Sequence, residues 1–352
     1  MPKKTIAVLT GGGDCPGLNA AIRAIVRTAI LDHDCRAIGV LNGYEGLIKG
    51  EKRDLSFDDV SNILPLGGTM LGTSNKASLY EPRDVSDTAV KNLKKWGVDT
   101  LFCIGGDGTF AIAGRFLKKW PRMIGVPKTI DNDLKATDQT IGFDTACSFV
   151  TEAVDRLHST AASHHRVMVI EVMGRYAGWV ALNGGLAGGG DVILIPEIPF
   201  SLEKVAHAIE ERKRRGKRAS IIVVAEGAHP AGGKRVVQGY VKDSPDPIRL
   251  GGIGKFIADA VQEKTGLESR VTVLGHLQRG GSPTFVDRML ATGFGVAAVQ
   301  LMAEKKFGKI VVLRGRQILG VDIAEATGGQ RLVEPTSLLV RTAGSLGVSF
   351  GI

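Results

Sequence analysis

The chain has 352 residues, 43% of them hydrophobic and 23% charged, with a formal net charge of +9. That composition is ordinary for an α/β protein, and the length allows a large core and two lobes. No stretch reaches the roughly 18 consecutive apolar residues of a membrane helix, and the apolar run after Met1 is too short for a secretory leader. A cytoplasmic location is therefore expected, with no membrane partner.

In chain order, TIAVLT at 5–10 reads as a buried strand, and LNAAIRAIVRTAIL from Leu18 as a helix. Between them lies Gly11-Gly12-Gly13-Asp14-Cys15-Pro16-Gly17. Glycines there let backbone N–H groups approach an anion near the positive end of the helix. The spacing matches neither the dinucleotide fingerprint nor the Walker loop, so a purely structural turn stays open. TLFCI is the next strand, followed by Gly105-Gly106-Asp107-Gly108-Thr109. The glycines offer N–H groups to phosphates, and Asp107 can hold a magnesium ion. Cys103, inside that strand, is expected to be a reduced core thiol; Cys15, Cys35 and Cys147 have no metal spacing or CxxC pair.

MIGV is a short strand that leads into Pro127-Lys128-Thr129-Ile130-Asp131-Asn132-Asp133. Paired carboxylates with a lysine upstream suit proton removal from a hydroxyl beside a metal-bound phosphate. An Asx-rich loop capping the next helix is the alternative. RVMVIEVM ends in Gly174-Arg175, which places a guanidinium at a strand's carboxyl end, and Arg grips phosphate through two parallel hydrogen bonds. VILIP and SIIVVAEG are further strands. Between them SLEKVAHAIEERKRR reads as a helix closing in a basic cluster before Gly216; dipole complementation and an anionic effector site are both open there. Residues 228–252 are turn-rich and read as a surface excursion. RVTVLG is the last strand of the pattern, followed by Gly275-His276-Leu277-Gln278-Arg279-Gly280-Gly281, where His276 and Arg279 could hold a sugar phosphate. The net positive charge fits such an anionic substrate, and nothing motif-like supports nucleic-acid binding. Continuous apolar runs followed by glycine turns and helical spacing predict doubly wound α/β architecture, with ligands at the carboxyl ends of the strands.

These motifs, in this order, resemble the phosphofructokinase family over roughly residues 4 to 300. GGDGT alone also occurs in lipid and NAD kinases; PKTIDND, EVMGR and GHLQRGG together are far more specific. The resemblance implies two Rossmann-like α/β lobes with the active site in the cleft between them. The donor lobe would take residues 1–142 plus about 277–328, and the fructose 6-phosphate lobe 143–276 plus about 329–352. It implies phosphoryl transfer from ATP to the 1-hydroxyl of fructose 6-phosphate, giving fructose 1,6-bisphosphate in glycolysis. Gly12, Asn75, Lys76, Gly106, Asp107, Gly108 and Thr109 would meet the donor. Asp107 would bind Mg2+, with Asp133 nearby. Asp131 would be the general base, Thr129 would orient the hydroxyl, and Arg175 and Lys128 would complete the catalytic set. Thr129, Ile130, Asp131, Met173, Gly174, Arg175 and Glu226 would line the sugar site. His276, Leu277, Gln278 and Arg279 would take the 6-phosphate side. Arg166 and Arg270 would reach that phosphate from a neighbouring subunit, which implies a homodimer or homotetramer.

Some positions depart from a simple pattern. Gly108 leaves room for a nucleotide and points to ATP, whereas Lys128 resembles pyrophosphate-using members and the mixed-substrate group. Asn75 stands where many ATP enzymes carry an arginine, and Lys128 is expected to restore that charge. Arg23, Arg27, Arg215 and Lys217 fall near family effector positions, and another effector arginine is replaced near Phe57. A pyrophosphate-dependent phosphotransferase is the alternative activity; a catalytically silent regulatory homologue is more remote.

Overall fold

Every residue of β1 (Thr5–Thr10) is buried, as a strand flanked on both sides and covered on both faces requires. The computed structural model describes residues 3–74, 77–240 and 248–352. After β1 come α1 (Leu18–His33), β2 (Arg36–Val40), α2 (Tyr44–Lys49), β3 (Lys52–Leu55), α3 (Ser86–Lys95), β4 (Thr100–Gly105), α4 (Asp107–Phe116) and β5 (Met123–Pro127). Next are α5 (Phe143–His164), β6 (Val167–Val172), α6 (Trp179–Ala187), β7 (Val192–Leu194), α7 (Leu202–Arg214) and β8 (Ser220–Ala225). Then follow β9 (Val237–Tyr240), β10 (Ile248–Leu250), α8 (Ile253–Thr265), β11 (Ser269–Val273) and α9 (Phe285–Ala303). The last elements are β12 (Lys309–Arg314), β13 (Gln317–Asp322), α10 (Ile323–Ala326) and α11 (Leu338–Ser345).

The chain forms two compact units, each discontinuous in sequence. One holds Met1–Ile130, Leu134–Thr145 and Arg279–Gln330; the other holds Asp131–Asp133, Ala146–Gln278 and Arg331–Ile352.

In the first unit the described strands make one sheet in the order β13-β12-β5-β4-β1-β2-β3. Its central pairs are parallel, while β3 and β13 close the edges antiparallel to their neighbours. Leu9, Leu101, Cys103 and Ile310 from the sheet pack with Phe110 and Phe116 of α4, all without solvent exposure. Burying such an apolar side chain contributes about 1.5–3 kcal/mol. The reduced thiol expected at Cys103 is there, and burial pushes it up to about 12. By length and composition α9 could cross a membrane. In this fold its Leu290, Phe294, Ala298 and Val299 are buried. It lies so close to α1 that a Cβ on Gly295 would come within 2.5 Å of the Ala24 methyl.

In the second unit β11-β6-β8-β7 form a wholly parallel sheet. Val169, Ile222, Val224, Phe200 and Ile257 are among its core residues. The helix predicted over SLEKVAHAIEERKRR is α7. The Lys217 N–H reaches the Arg212 carbonyl and the Gly216 N–H the Lys213 carbonyl, both at 3.0 Å. Gly216 has φ 78°. The basic cluster therefore closes the helix at its negative end, where cations complement the dipole. Within the turn-rich excursion, β9 and β10 pair as an antiparallel ribbon that its composition did not reveal.

Candidate functional site

In the first unit, two glycine loops meet at the carboxyl ends of β1 and β4. The Gly11 N–H donates to the Ile104 carbonyl at 2.9 Å, so the first loop starts against the second strand. Their packing leaves no room for side chains: a Cβ on Gly11 would lie 2.7 Å from Thr109 Oγ1, and one on Gly105 only 2.3 Å from the Thr109 Cβ. Gly12 has φ 78°, a conformation that glycine reaches without the penalty other residues carry. The Thr73 hydroxyl fixes the loop by donating to the Gly12 carbonyl at 2.6 Å.

The second loop becomes the start of α4. Its first intrahelical bond runs from the Phe110 N–H to the Gly106 carbonyl, 3.1 Å. The N–H groups of Asp107, Gly108 and Thr109 thus lie outside the helix ladder, at the positive end of the dipole, the usual arrangement for receiving an anion. A Cβ on Gly108 would meet nothing within 4 Å, so open space lies over that residue. Asp107 is half-buried, and desolvation raises its acid above the ordinary carboxyl range. Asn75 and Lys76 lie outside the described residues.

Lys128 leaves β5 and is only 3% exposed. Its N–H donates to the Gly105 carbonyl at 2.9 Å, and its Nζ donates to the Gly13 carbonyl at 2.5 Å. The ammonium therefore sits against the first glycine loop; a Cβ on Gly12 would be 3.5 Å from it. Arg279 reaches the same loop, its Nη1 donating to the Asp14 carbonyl at 3.2 Å. Thr129 is held by its backbone, the N–H on the Ile141 carbonyl at 3.2 Å and the carbonyl accepting from the Thr140 hydroxyl at 2.6 Å. Ile130 is wholly buried. Sequence reading missed Asp287, fully buried, which accepts from the Gly142 N–H at 2.9 Å and from the Thr145 N–H and hydroxyl at 2.8 and 2.6 Å. Burial raises its acid, opposed by these bonds. It holds the chain where α5 begins, and no local spacing announces it.

In the second unit, the loops after β6, β8 and β11 converge because those strands are parallel neighbours. Gly174 has φ 141°, and its carbonyl accepts from the Gly227 N–H at 3.1 Å. A Cβ on Gly227 would strike the Arg175 carbonyl at 2.0 Å, which explains glycine after Glu226. The Glu226 N–H donates to the Val172 carbonyl at 2.9 Å. Gln278 is 1% exposed, and its amide ties the Met173 N–H (3.2 Å) to the Gly275 carbonyl (3.1 Å). His276 and Leu277 ride on the same short 3-10 turn, Gly275–Arg279. Arg175 lines a cavity of about 410 Å³ with Tyr176, His229, Lys234 and Arg235, a basic surround suited to an anion. Glu171, by contrast, is structural: it accepts from the Gly252 and Gly254 N–H groups at 3.1 and 2.8 Å, capping α8.

Asp131 and Asp133 also belong to the second unit and flank Asn132, whose φ is 51°. Arg166 and Arg270 come together on one carboxylate: Arg166 Nε is 2.7 Å from Glu268, and Arg270 pairs with its other oxygen. Of the residues near effector positions, Arg27 stacks 4.0 Å above the Phe57 ring and donates to the Ser61 hydroxyl at 2.9 Å. Burial, and then the charge of Arg27, lower the pKa of Arg23. Lys217 lines a cavity of about 320 Å³ with His158, Asp191 and Arg212.

Glycine loops at the carboxyl ends of parallel strands in one unit, and arginine, histidine and carboxylate side chains on loops of the other, are the residue types that phosphoryl transfer uses. The phosphofructokinase family model matches residues 5–302, and the chain belongs to that family. It is 52% identical to the ATP-dependent 6-phosphofructokinase 2 of Clostridium perfringens, with 99% of each chain covered. It is 51% identical to the pyrophosphate–fructose 6-phosphate 1-phosphotransferase of Amycolatopsis methanolica, over 94% of this chain and 96% of that one. Among solved structures, phosphofructokinase from Saccharomyces cerevisiae superposes with a TM-score of 0.82 at 35% identity. That match covers 92% of this chain but 45% of the yeast chain, so this chain spans under half its length.

Proposed function

We propose that this chain is an ATP-dependent 6-phosphofructokinase, transferring the terminal phosphoryl group of ATP to the 1-hydroxyl of fructose 6-phosphate. The observation that carries ATP as donor is the open space over Gly108, where a side chain would compete with the nucleotide. The loop amides at Gly12 and at the start of α4 would receive the donor phosphates. Asp131 would take the hydroxyl proton, while Arg175 and Lys128 offset charge on the transferring group. Such transfer depends on alignment and charge neutralisation more than on covalent help.

Asp107 suits a magnesium ion. It is a hard oxygen donor, half-buried, and no cluster of three or more metal-ligating side chains exists among the described residues. Magnesium commonly takes one or two carboxylates and completes its shell with water and substrate oxygens. When bound, the ion would neutralise charge on the donor phosphates.

The second reading is pyrophosphate as donor, favoured by the buried Lys128 against the glycine loop. Lysine stabilises the phosphates of either donor, whereas the vacant space at Gly108 serves only the larger one. Self-association to a homodimer or homotetramer, with Arg166 and Arg270 completing a neighbour's phosphate site, belongs to the same proposal, as does a cytoplasmic setting. Sedimentation with and without fructose 6-phosphate tests the assembly.

The decisive assay supplies fructose 6-phosphate with MgATP or with Mg-pyrophosphate in parallel. Turnover should be faster with ATP, and Asp131→Asn should lose at least ~10²-fold. Faster turnover with pyrophosphate would reverse the donor; undiminished turnover in Asp131→Asn would remove it as the base.

A further inference from the structure

We infer that Arg331 is a positioning residue for Asp131, fixing the backbone turn on which the proposed base stands; the inference rests on that role for Asp131. Arg331 lies beyond the residues the family model matches, 5–302. It stands in GGQRLVEP, a stretch with no motif.

The turn needs holding. Asn132 occupies the left-handed region at φ 51° and is only 3% exposed. A non-glycine residue there carries a cost of order 1 kcal/mol and persists where its surroundings over-determine it. Arg331 does so with donors to two successive carbonyls. Its Nε and Nη2 both donate to the Asn132 carbonyl, at 3.2 and 3.1 Å. Its own N–H donates to the Asp133 carbonyl at 2.7 Å. The carbonyls of two successive residues, directly after Asp131, are thus fixed in direction by one residue.

Arg331 is itself anchored. Its guanidinium lies 4.4 Å from the centre of the Trp179 ring, and the indole N–H donates to the Arg331 carbonyl at 2.8 Å. Trp179 opens α6, whose preceding Gly178 N–H donates to the Glu197 carboxylate at 3.0 and 3.1 Å. The same carboxylate accepts from the Val333 N–H at 2.8 Å. Glu197 therefore joins the start of α6 to the segment carrying Arg331, and the Asp-Asn-Asp turn is referenced to a helix rather than left to a loop. All of these residues belong to the second unit.

Only a planar fork can give two converging N–H donors to one carbonyl while stacking on indole. Lysine keeps the charge and the stem but not the fork. A displacement of about 1 Å at a reacting group can cost about 10²-fold. Arg331→Lys and Arg331→Ala should each lower kcat by ~10- to 10²-fold, with KM for fructose 6-phosphate and for MgATP within about threefold of wild type. In an Asp131→Asn background neither change should lower kcat further, because a positioning residue acts only through the group it positions. Amide exchange across residues 129–134 should rise in both variants, a readout that needs no activity. Wild-type kcat in Arg331→Lys, or equal losses in both backgrounds, would overturn the inference. Unchanged exchange would overturn the brace itself. An inactive wild-type enzyme would instead defeat the functional reading, and exchange would still judge the brace.

Discussion

Replacing Gly108 by aspartate places a carboxylate in the open space at the start of α4. The backbone admits it: Gly108 is not among the positive-φ glycines, and a Cβ there meets nothing within 4 Å. Glycine in a helix costs about 0.5–1 kcal/mol relative to alanine, and an acid in the first turn is worth about 0.3–1 kcal/mol. Aspartate's own weak helix propensity returns part of this gain, so Gly108→Asp should leave stability unchanged or raise it by under ~1 kcal/mol. The melting temperature should then shift by no more than a few degrees. Catalysis should respond differently. The carboxylate occupies volume over the loop amides and repels donor phosphates; at 4 Å and an effective dielectric of 20, one pair of unit charges repels by about 4 kcal/mol. Part of that is screened, so kcat/KM for ATP should fall at least ~10²-fold, equivalent to about 2.7 kcal/mol. Charge repulsion acts on both donors, but only ATP carries a nucleoside. The ratio of ATP to pyrophosphate activity therefore isolates the steric part, and should fall at least ~10-fold. The assay is steady-state turnover with each donor alongside a thermal melt. An unchanged melt with ATP kcat/KM within about threefold of wild type would falsify the steric account of donor choice.

Lys128→Met keeps most of the stem and removes the ammonium that lies 2.5 Å from the Gly13 carbonyl. It should lower kcat more than it raises either KM; a raised KM with kcat preserved would make Lys128 a binding residue only. For Asp107, desolvation raises the folded-state acid. Below that raised pKa the carboxyl is protonated and cannot ligate, so the Mg2+ needed for half-maximal rate should climb about 10-fold per pH unit, and level off above it. The linkage has a matching sign. A carboxyl whose folded pKa is raised stabilises the acid side, and that contribution is lost as pH rises from the unfolded value through the folded one. The melting temperature of metal-free wild type relative to Asp107→Asn should therefore fall as pH rises through that window; a relative rise would refute the desolvation.

The strand-forming runs were legible because they are local and unbroken. TIAVLT, TLFCI and SIIVVA are apolar on both faces, as a parallel strand covered on both sides must be, and each became one, with every residue buried. The glycine loops were legible for a similar reason: close packing of Gly11 and Gly105 on Thr109 excludes side chains, so the sequence must write glycine there. The mixed strands escaped. Lys52–Leu55 and Gln317–Asp322 are edge strands with exposed residues, and half-exposed edges need no apolar run.

From the sequence alone came the α/β class, the order of the chemistry-bearing motifs and the family resemblance, since each depends on residues adjacent in the chain. Only the folded chain decided that Lys128 and Arg279 lie against the first glycine loop, and that Arg166 and Arg270 share Glu268. The same holds for Arg331, nearly 200 residues from Asn132 (|i−j| = 199) yet hydrogen-bonded to its carbonyl. Hydrogen bonds and ion pairs between distant segments leave no periodicity in the chain; they exist once strand order has brought those segments together.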